Sequence, residues 1–156
     1  MAKQLASNAL TIYSDGSSLP GRRGGVGFVL IWEDEDGHEV RDEGWTPGWA
    51  GATNNQMEIQ ACIEALKLAL GKGSPVDFSG LSKIDILTDS MYVVDNFNSA
   101  LFTWPKTKWT LRDGAPVANT SQWKELAKLV KRASDRGFRV RPAWVKASNK
   151  YLVQIF

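Results

Sequence analysis

The sequence predicts an α/β fold: a mixed five-stranded sheet flanked by helices, in the order βββαβααβ, with a short C-terminal helix. Three observations carry that prediction. Short apolar or alternating segments bounded by turn residues recur before residue 50 and read as strands. Beyond Thr53 the apolar spacing changes to the period of a helix. A further strand follows that helix, and such a crossover is usually right-handed, which places the strands on either side of it in parallel.

Each element has its own signal. Leu10 to Ser14 alternates and ends at Asp15, after which "GSSLPGRRGG" is turn chemistry. "GFVLIWE" (Gly27 to Glu33) and "EVRDEGW" (Glu39 to Trp45), joined by the "DEDGHE" turn, complete an antiparallel meander. In "ATNNQMEIQACIEALKLAL", Thr53 or Asn54 can cap a helix on which Ile59, Cys62, Ile63 and Leu66 recur at helical spacing. "KIDILTD" is the fourth strand. A helix from about Met91, a Trp-rich loop, a helix from about Ser121 to Ser134 and the strand "FRVRPAWV" follow. Pro142 cannot donate to a ladder, so this last strand belongs at an edge.

A chain of 156 residues is long enough for one hydrophobic core and too short for two ordinary domains, so residues 1–156 read as a single domain. No apolar run approaches the roughly 20 residues of a membrane span. The start, "MAKQLASNALTIYSDG", lacks the apolar core of a secretory signal, and the single cysteine, Cys62, excludes an internal disulfide framework. A monomeric cytoplasmic protein with no membrane partner is expected. The net charge of +2 is small, but positive residues gather late, from Lys106 through Arg132 to Lys146, and that distribution points towards a polyanion.

Two aspartates end strands in the same manner, Asp15 in "TIYSDGSS" and Asp89 in "LTDSMYVV". Parallel neighbours would bring both to one sheet edge, where open α/β sheets bind ligands. Glu58 shares a helical stripe with Cys62, Ala65 and Ala69, small residues that suit a close helix–sheet contact, so it points inward. Taken singly, each acid reads as a turn former, a cap or a solvated side chain. Converging, they repel one another and call for a compensating cation. Hard oxygen ligands suggest Mg²⁺ or Mn²⁺ rather than Zn²⁺. Two such ions bridged by Asp15, about 4 Å apart, could activate a water and stabilise the leaving oxygen of a phosphodiester.

The segments "SDGSS", "TNNQMEIQA" and "LTDSMYVV", in that order, resemble the motifs of the type 1 ribonuclease H family. The similarity runs from about Thr11 to Lys146 and includes "PVANTSQWKELAKLV" and "WVK". It implies an RNase H-like fold and two-metal hydrolysis of the RNA strand of RNA/DNA hybrids, with Asp15, Glu58 and Asp89 as metal-binding catalytic carboxylates. It also implies that Gly16, Ser17, Asn54, Asn55 and Met91 approach the hybrid's minor groove or backbone, Met91 standing where glutamine is common. The 2′-hydroxyls would distinguish RNA from DNA there.

The segment "NFNSALFTWPKTKWTLRDGAPVAN" resembles the basic protrusion of bacterial members. Phe97, Trp104 and Trp109 offer flat surfaces to sugars or bases, and Lys106, Lys108 and Arg112 could meet phosphates. The competing reading is that these aromatics anchor a long loop.

The tail departs from the family pattern. "WVKASNKYLVQIF" has Ser148 where the resemblance expects a histidine, and no aspartate follows Asp135. His38, the single histidine, sits in a turn that favours solvent exposure. By the resemblance Asn149 is the best fourth metal ligand, opening a short terminal helix with Tyr151, Leu152 and Ile155 packed behind it; alternatively it caps that turn. Two functions follow: an active endonuclease, or a hybrid-binding module whose hydrolysis is impaired.

Overall fold

The computed structural model describes residues 8–17 and 23–155. Its elements are β1 (Ala9–Ser17), β2 (Arg23–Glu33), β3 (Glu39–Ala50), α1 (Asn54–Leu70), β4 (Lys83–Thr88), α2 (Met91–Asn98), α3 (Thr120–Asp135) and β5 (Arg139–Trp144). A π-helical turn, Ser99–Thr103, continues α2, and a 3₁₀ turn, Leu152–Gln154, follows β5. The predicted order is the observed one.

The sheet runs β3-β2-β1-β4-β5, with β1 antiparallel to β2 and parallel to β4, and β5 parallel to β4 at the edge that Pro142 implied. Period-two alternation sorts the side chains between two faces. Leu10, Ile12, Leu30, Ile84 and Ile86 pack under Ile59, Ile63 and Leu66 of α1 and Trp123 and Leu126 of α3. The intervening residues Tyr13, Val29 and Ile31 point to the opposite face. There the terminal segment covers them: Leu152 is buried among them, the Tyr151 ring lies 4.6 Å from that of Tyr13, and Ile155 sits over Gly27. The expectation that Tyr151, Leu152 and Ile155 pack inward holds, although the helical turn begins at Leu152 and not at Asn149.

Several strands are longer than their sequence signals. β1 continues past Asp15 because its antiparallel pairing with β2 extends to Ser17 opposite Gly25, whereas its parallel pairing with β4 stops at Tyr13 opposite Leu87. β2 starts at Arg23 and β3 reaches Ala50 for the same reason: cross-strand pairing carries a Gly-rich segment of low strand propensity, with a register shift at Gly24/Gly25. Part of the predicted "GSSLPGRRGG" turn, residues 18–22, lies outside the described residues, as does the start of the chain through residue 7.

Helix α1 is fixed at its start by a reciprocal cap. Thr53 Oγ1 accepts from the Gln56 amide at 3.1 Å, and Gln56 Oε1 accepts from the Thr53 amide at 2.9 Å. Of the two candidates, Thr53 is the cap, a bond set worth about 1 kcal/mol. Gln122 of α3 braces the same turn, its Nε2 donating to the Gln56 carbonyl and to Gln60 Oε1, both at 2.9 Å. Among the described residues no helix is long and apolar enough to cross a membrane.

Because Leu152 closes the second face, Leu152→Ala should destabilise the protein by about 2–4 kcal/mol, the usual cost of truncating a buried leucine. Urea unfolding measures it, and an unchanged midpoint would show that the terminal turn is not part of the cooperative fold.

Candidate active site

Parallel pairing of β1 and β4 opens their carboxyl ends at one edge of the sheet. Asp15 lies two residues beyond the last parallel pair, and Asp89 directly follows the last residue of β4. Across the helix-side face runs α1, whose buried stripe includes Glu58, Cys62, Ala65 and Ala69. These short side chains let the helix come close. The approach is tightest at Gly16, where a β-carbon would stand 2.2 Å from the Met57 carbonyl carbon and 2.5 Å from the Glu58 amide nitrogen. Glycine alone fits. At this contact the Gly16 N–H donates to Glu58 Oε1.

Oxygen atoms of Asp15, Glu58 and Asp89 all lie within 4.8 Å of one another. Burial dominates their electrostatics: Glu58 is 8% exposed. Burial pushes its carboxyl up to about 9, against the hydrogen bond from Gly16 and with the help of the charges of Asp15 and Asp89. Asp15 is also raised, again chiefly by burial and further by Asp89, while a hydrogen bond with Glu58 pulls it back. Without a cation, Glu58 therefore keeps its proton and shares it with Asp15. The nearby Cys62 thiol is fully buried, pushed up to about 12 by that burial and hydrogen-bonded with Ser14 Oγ at 3.5 Å, so it stays neutral. What remains is an all-oxygen donor set of high negative potential, the chemistry that suits a hard divalent cation.

The RNase H family model matches residues 7–150. The chain belongs to the RNase H family. It is 34% identical over 143 residues to the Ribonuclease H of Treponema denticola, covering 87% of this chain and 82% of that protein. With the Ribonuclease H of Campylobacter curvus it shares 36% identity over 142 residues, 90% of this chain and 81% of the other. Among solved structures, the PFV RNase H domain superposes with a TM-score of 0.63 at 22% identity, covering 90% of this chain and 81% of that one. A foamy viral protease-reverse transcriptase solved with an RNA/DNA hybrid gives a TM-score of 0.70 at 20% identity, covering 99% of this chain and 20% of that one. At such identities the two structures establish the shared fold.

Within this RNase H-family fold the other candidate residues divide. Gly16 and Ser17 are half-buried at the end of β1, Asn54 and Asn55 are exposed on the first turn of α1, and Met91, 51% exposed, opens α2. They adjoin the carboxylates in the chain: Gly16 and Ser17 follow Asp15 on β1, Asn54 and Asn55 precede Glu58 on α1, and Met91 starts α2 two residues after Asp89. Phe97 does not serve as a flat outer surface: it is 1% exposed in the main core, because α2 continues regularly and places it one turn after buried Val93. Trp104 and Trp109 are half-buried against that core, 6.0 Å from each other, with Trp104 edge-on to Trp123 at 6.0 Å. They anchor the insert, as the competing reading held. Lys106, Lys108 and Arg112 are exposed, and Lys124 Nζ stands 5.7 Å from the Trp109 ring.

Asn149 Oδ1 accepts from the Tyr151 amide at 2.9 Å, a local turn bond two residues ahead; the 3₁₀ turn itself follows Tyr151 and has no side-chain cap, so Asn149 does not cap it. Ser148 is exposed. His38 is exposed in the β2–β3 turn, its Nδ1 3.7 Å from Asp34 Oδ2. Asp34, Asp36 and His38 converge there, but Asp34 Oδ1 accepts the amides of Asp36 and His38 at 2.9 Å, which is turn chemistry. Two residues not singled out in the sequence bear on the site: Gln122, which braces the turn of α1 before Glu58, and Trp144, whose indole nitrogen lies 3.2 Å from the Asp89 carbonyl oxygen. The available signal for Trp144 was its place at the end of the strand beside β4.

The raised carboxyl of Glu58 fixes a pH dependence. Below its ordinary value of 4.5 it is neutral folded and unfolded; from there to about 9 the unfolded chain has lost a proton that the folded one keeps. The Glu58 contribution therefore makes metal-free protein less stable as pH rises through that window, and the loss is complete above it. Thermal melts in chelator at pH 5.5 and 8.5 should show a drop that Glu58→Gln reduces and Mg²⁺ opposes; a slope unaffected by Glu58→Gln would refute the assignment.

Proposed function

We propose that this chain hydrolyses the RNA strand of RNA/DNA hybrids as an endonuclease, leaving 5′-phosphate ends, and works as a monomeric single domain spanning residues 1–156. The observation that carries the reading is the convergence of Asp15, Glu58 and Asp89 within 4.8 Å in an RNase H-family chain. Asp15, Glu58 and Asp89 would hold two Mg²⁺ or Mn²⁺ ions per site once substrate is bound, with the Asn149 amide oxygen as fourth ligand. Its oxygen has a second lone pair beyond the one given to Tyr151. Bound divalent cations supply charge that activates water and stabilises the leaving oxygen.

The chain's own groups do the rest. Gly16 N–H orients Glu58, and the ionised carboxylates hold negative potential where the cations bind. Gly16, Ser17, Asn54, Asn55 and Met91 meet the hybrid in its shallow minor groove, reading 2′-hydroxyls without sequence preference. Lys106 and Lys108 attract the phosphates of the other strand, held out by Trp104 and Trp109, whose half-exposed rims add apolar contact. The alternative, an impaired hybrid-binding module, is disfavoured by the buried acids: a surface that binds only polyanions gains nothing from a carboxyl raised to about 9 by burial beside two others.

An end-labelled hybrid incubated with Mg²⁺ or Mn²⁺ tests this. Cleavage should be confined to the hybrid, leaving duplex DNA and duplex RNA intact. Asp89→Asn should lower the rate on the order of 10²–10³-fold, as when one preorganised electrostatic group is lost, and Asn149→Ala should raise the metal concentration needed for half-maximal rate. Hybrid binding without cleavage in either metal would instead establish the binding module.

A further inference from the structure

Asp89 stands just beyond the ladder of β4, where a main chain has no neighbouring strand to hold it. Its surroundings replace that ladder bond by bond. The Thr88 carbonyl accepts from the Val145 amide at 2.9 Å, and Thr88 Oγ1 accepts from the Ser90 amide at 3.1 Å. Ser90 Oγ then caps α2 by accepting from the Val93 amide at 3.2 Å. The Asp89 carbonyl itself is taken by the indole of Trp144, Nε1 donating at 3.2 Å. Thr88 and Trp144 face each other in the β4–β5 register, so the indole reaches one residue past the end of the ladder and does the work of the missing strand.

Trp144 is 47% exposed, so apolar burial alone gives little reason for so large a ring at this place. Its distinguishing group is the N–H. Two side-chain torsions set an indole, which makes it a stiff donor retained at low entropic cost. Resting on the reading of Asp89 as a metal ligand, we propose that Trp144 is a positioning residue for that carboxylate. By clamping the Asp89 main chain it presents the side chain towards Asp15 and Glu58 without using a carboxylate oxygen, and so leaves the acid free for the cation.

Trp144→Phe removes the donor and keeps an aromatic ring. Calorimetric titration of the full chain with Mn²⁺ should show affinity weakened about three- to tenfold, the effect of one lost hydrogen bond, while KM for the hybrid at saturating metal stays that of the parent. In the unmodified protein the Trp144 indole N–H resonance, assigned by its absence in the variant, should shift in step with Mg²⁺ binding. Trp123→Phe is the comparison: it loses an indole bond of the same length, 3.2 Å to the Tyr92 hydroxyl, inside the helix-side core, and, though less stable, should retain the parent's Mn²⁺ affinity. Asp89→Asn separates the two layers of the argument. Mn²⁺ binding unaffected by Asp89→Asn overturns the metal reading and this inference together. Binding lost in Asp89→Asn but unchanged in Trp144→Phe, with an indole signal indifferent to Mg²⁺, overturns the inference alone.

Discussion

The contact between Gly16 and the Met57–Glu58 backbone is the constraint on which the rest of the site depends. A helix normally stands off a sheet by the depth of two layers of side chains; here one layer is missing, since a β-carbon at Gly16 would come within 2.2 Å of main chain. Such an approach requires small residues further along the same stripe, and Cys62, Ala65 and Ala69 supply them. It also requires the helix to start at a fixed place, which the Thr53–Gln56 cap and the Gln122 brace secure from two directions. The result is a glutamate on a helix brought beside an aspartate on a strand, with the Gly16 N–H as the bond between the elements.

Holding three acids there works against stability, since folded domains keep only about 5–15 kcal/mol in hand. The opposing contributions sit on both faces of the sheet. On one, α1 and α3 close a continuous core that includes Trp123 and Leu126; on the other, the last turn brings Leu152 over Tyr13, Val29 and Ile31. Glu58 then limits the remaining penalty by keeping its proton up to about 9, which removes one charge whenever no cation is present. A cation would displace that proton, so metal affinity must itself increase with pH.

How much of this was legible in the residues follows the range of the forces involved. The crossover rule needs only the order of elements, and it placed β4 beside β1 and both aspartates at one edge. The α1 stripe was equally local, and Glu58 is buried where its spacing put it. Strand lengths were not legible, because β1, β2 and β3 are prolonged by one another across Gly-rich sequence. Nor was the burial of Phe97, an aromatic in a basic segment, until the register of α2 joined it to Val93. Asn149 offered two readings in the sequence; it does not cap the 3₁₀ turn, which follows Tyr151, and its bond to the Tyr151 amide is a local turn bond that leaves the amide oxygen a second lone pair. Trp144 depended on a side chain crossing from one strand end to the next, a contact that no local pattern encodes.

The three acids are anchored by different means, and this has a mechanical consequence. Asp15 is held by the antiparallel ladder of β1 with β2, Glu58 by helix packing and an N–H from Gly16, and Asp89 by bonds to the main chain on either side of it and at its own carbonyl. Each acid thus has an anchor outside the cluster, so the cluster's shape does not rest on the hydrogen bond between Asp15 and Glu58 alone. Repulsion among them can then be cancelled by a cation with little rearrangement of the chain. A site whose charges are already in place when the reaction needs them avoids reorganisation at that moment, which is the larger part of what electrostatic catalysis requires of a protein. The rigidity of the strand ends thus matters as much to function as the acids they carry.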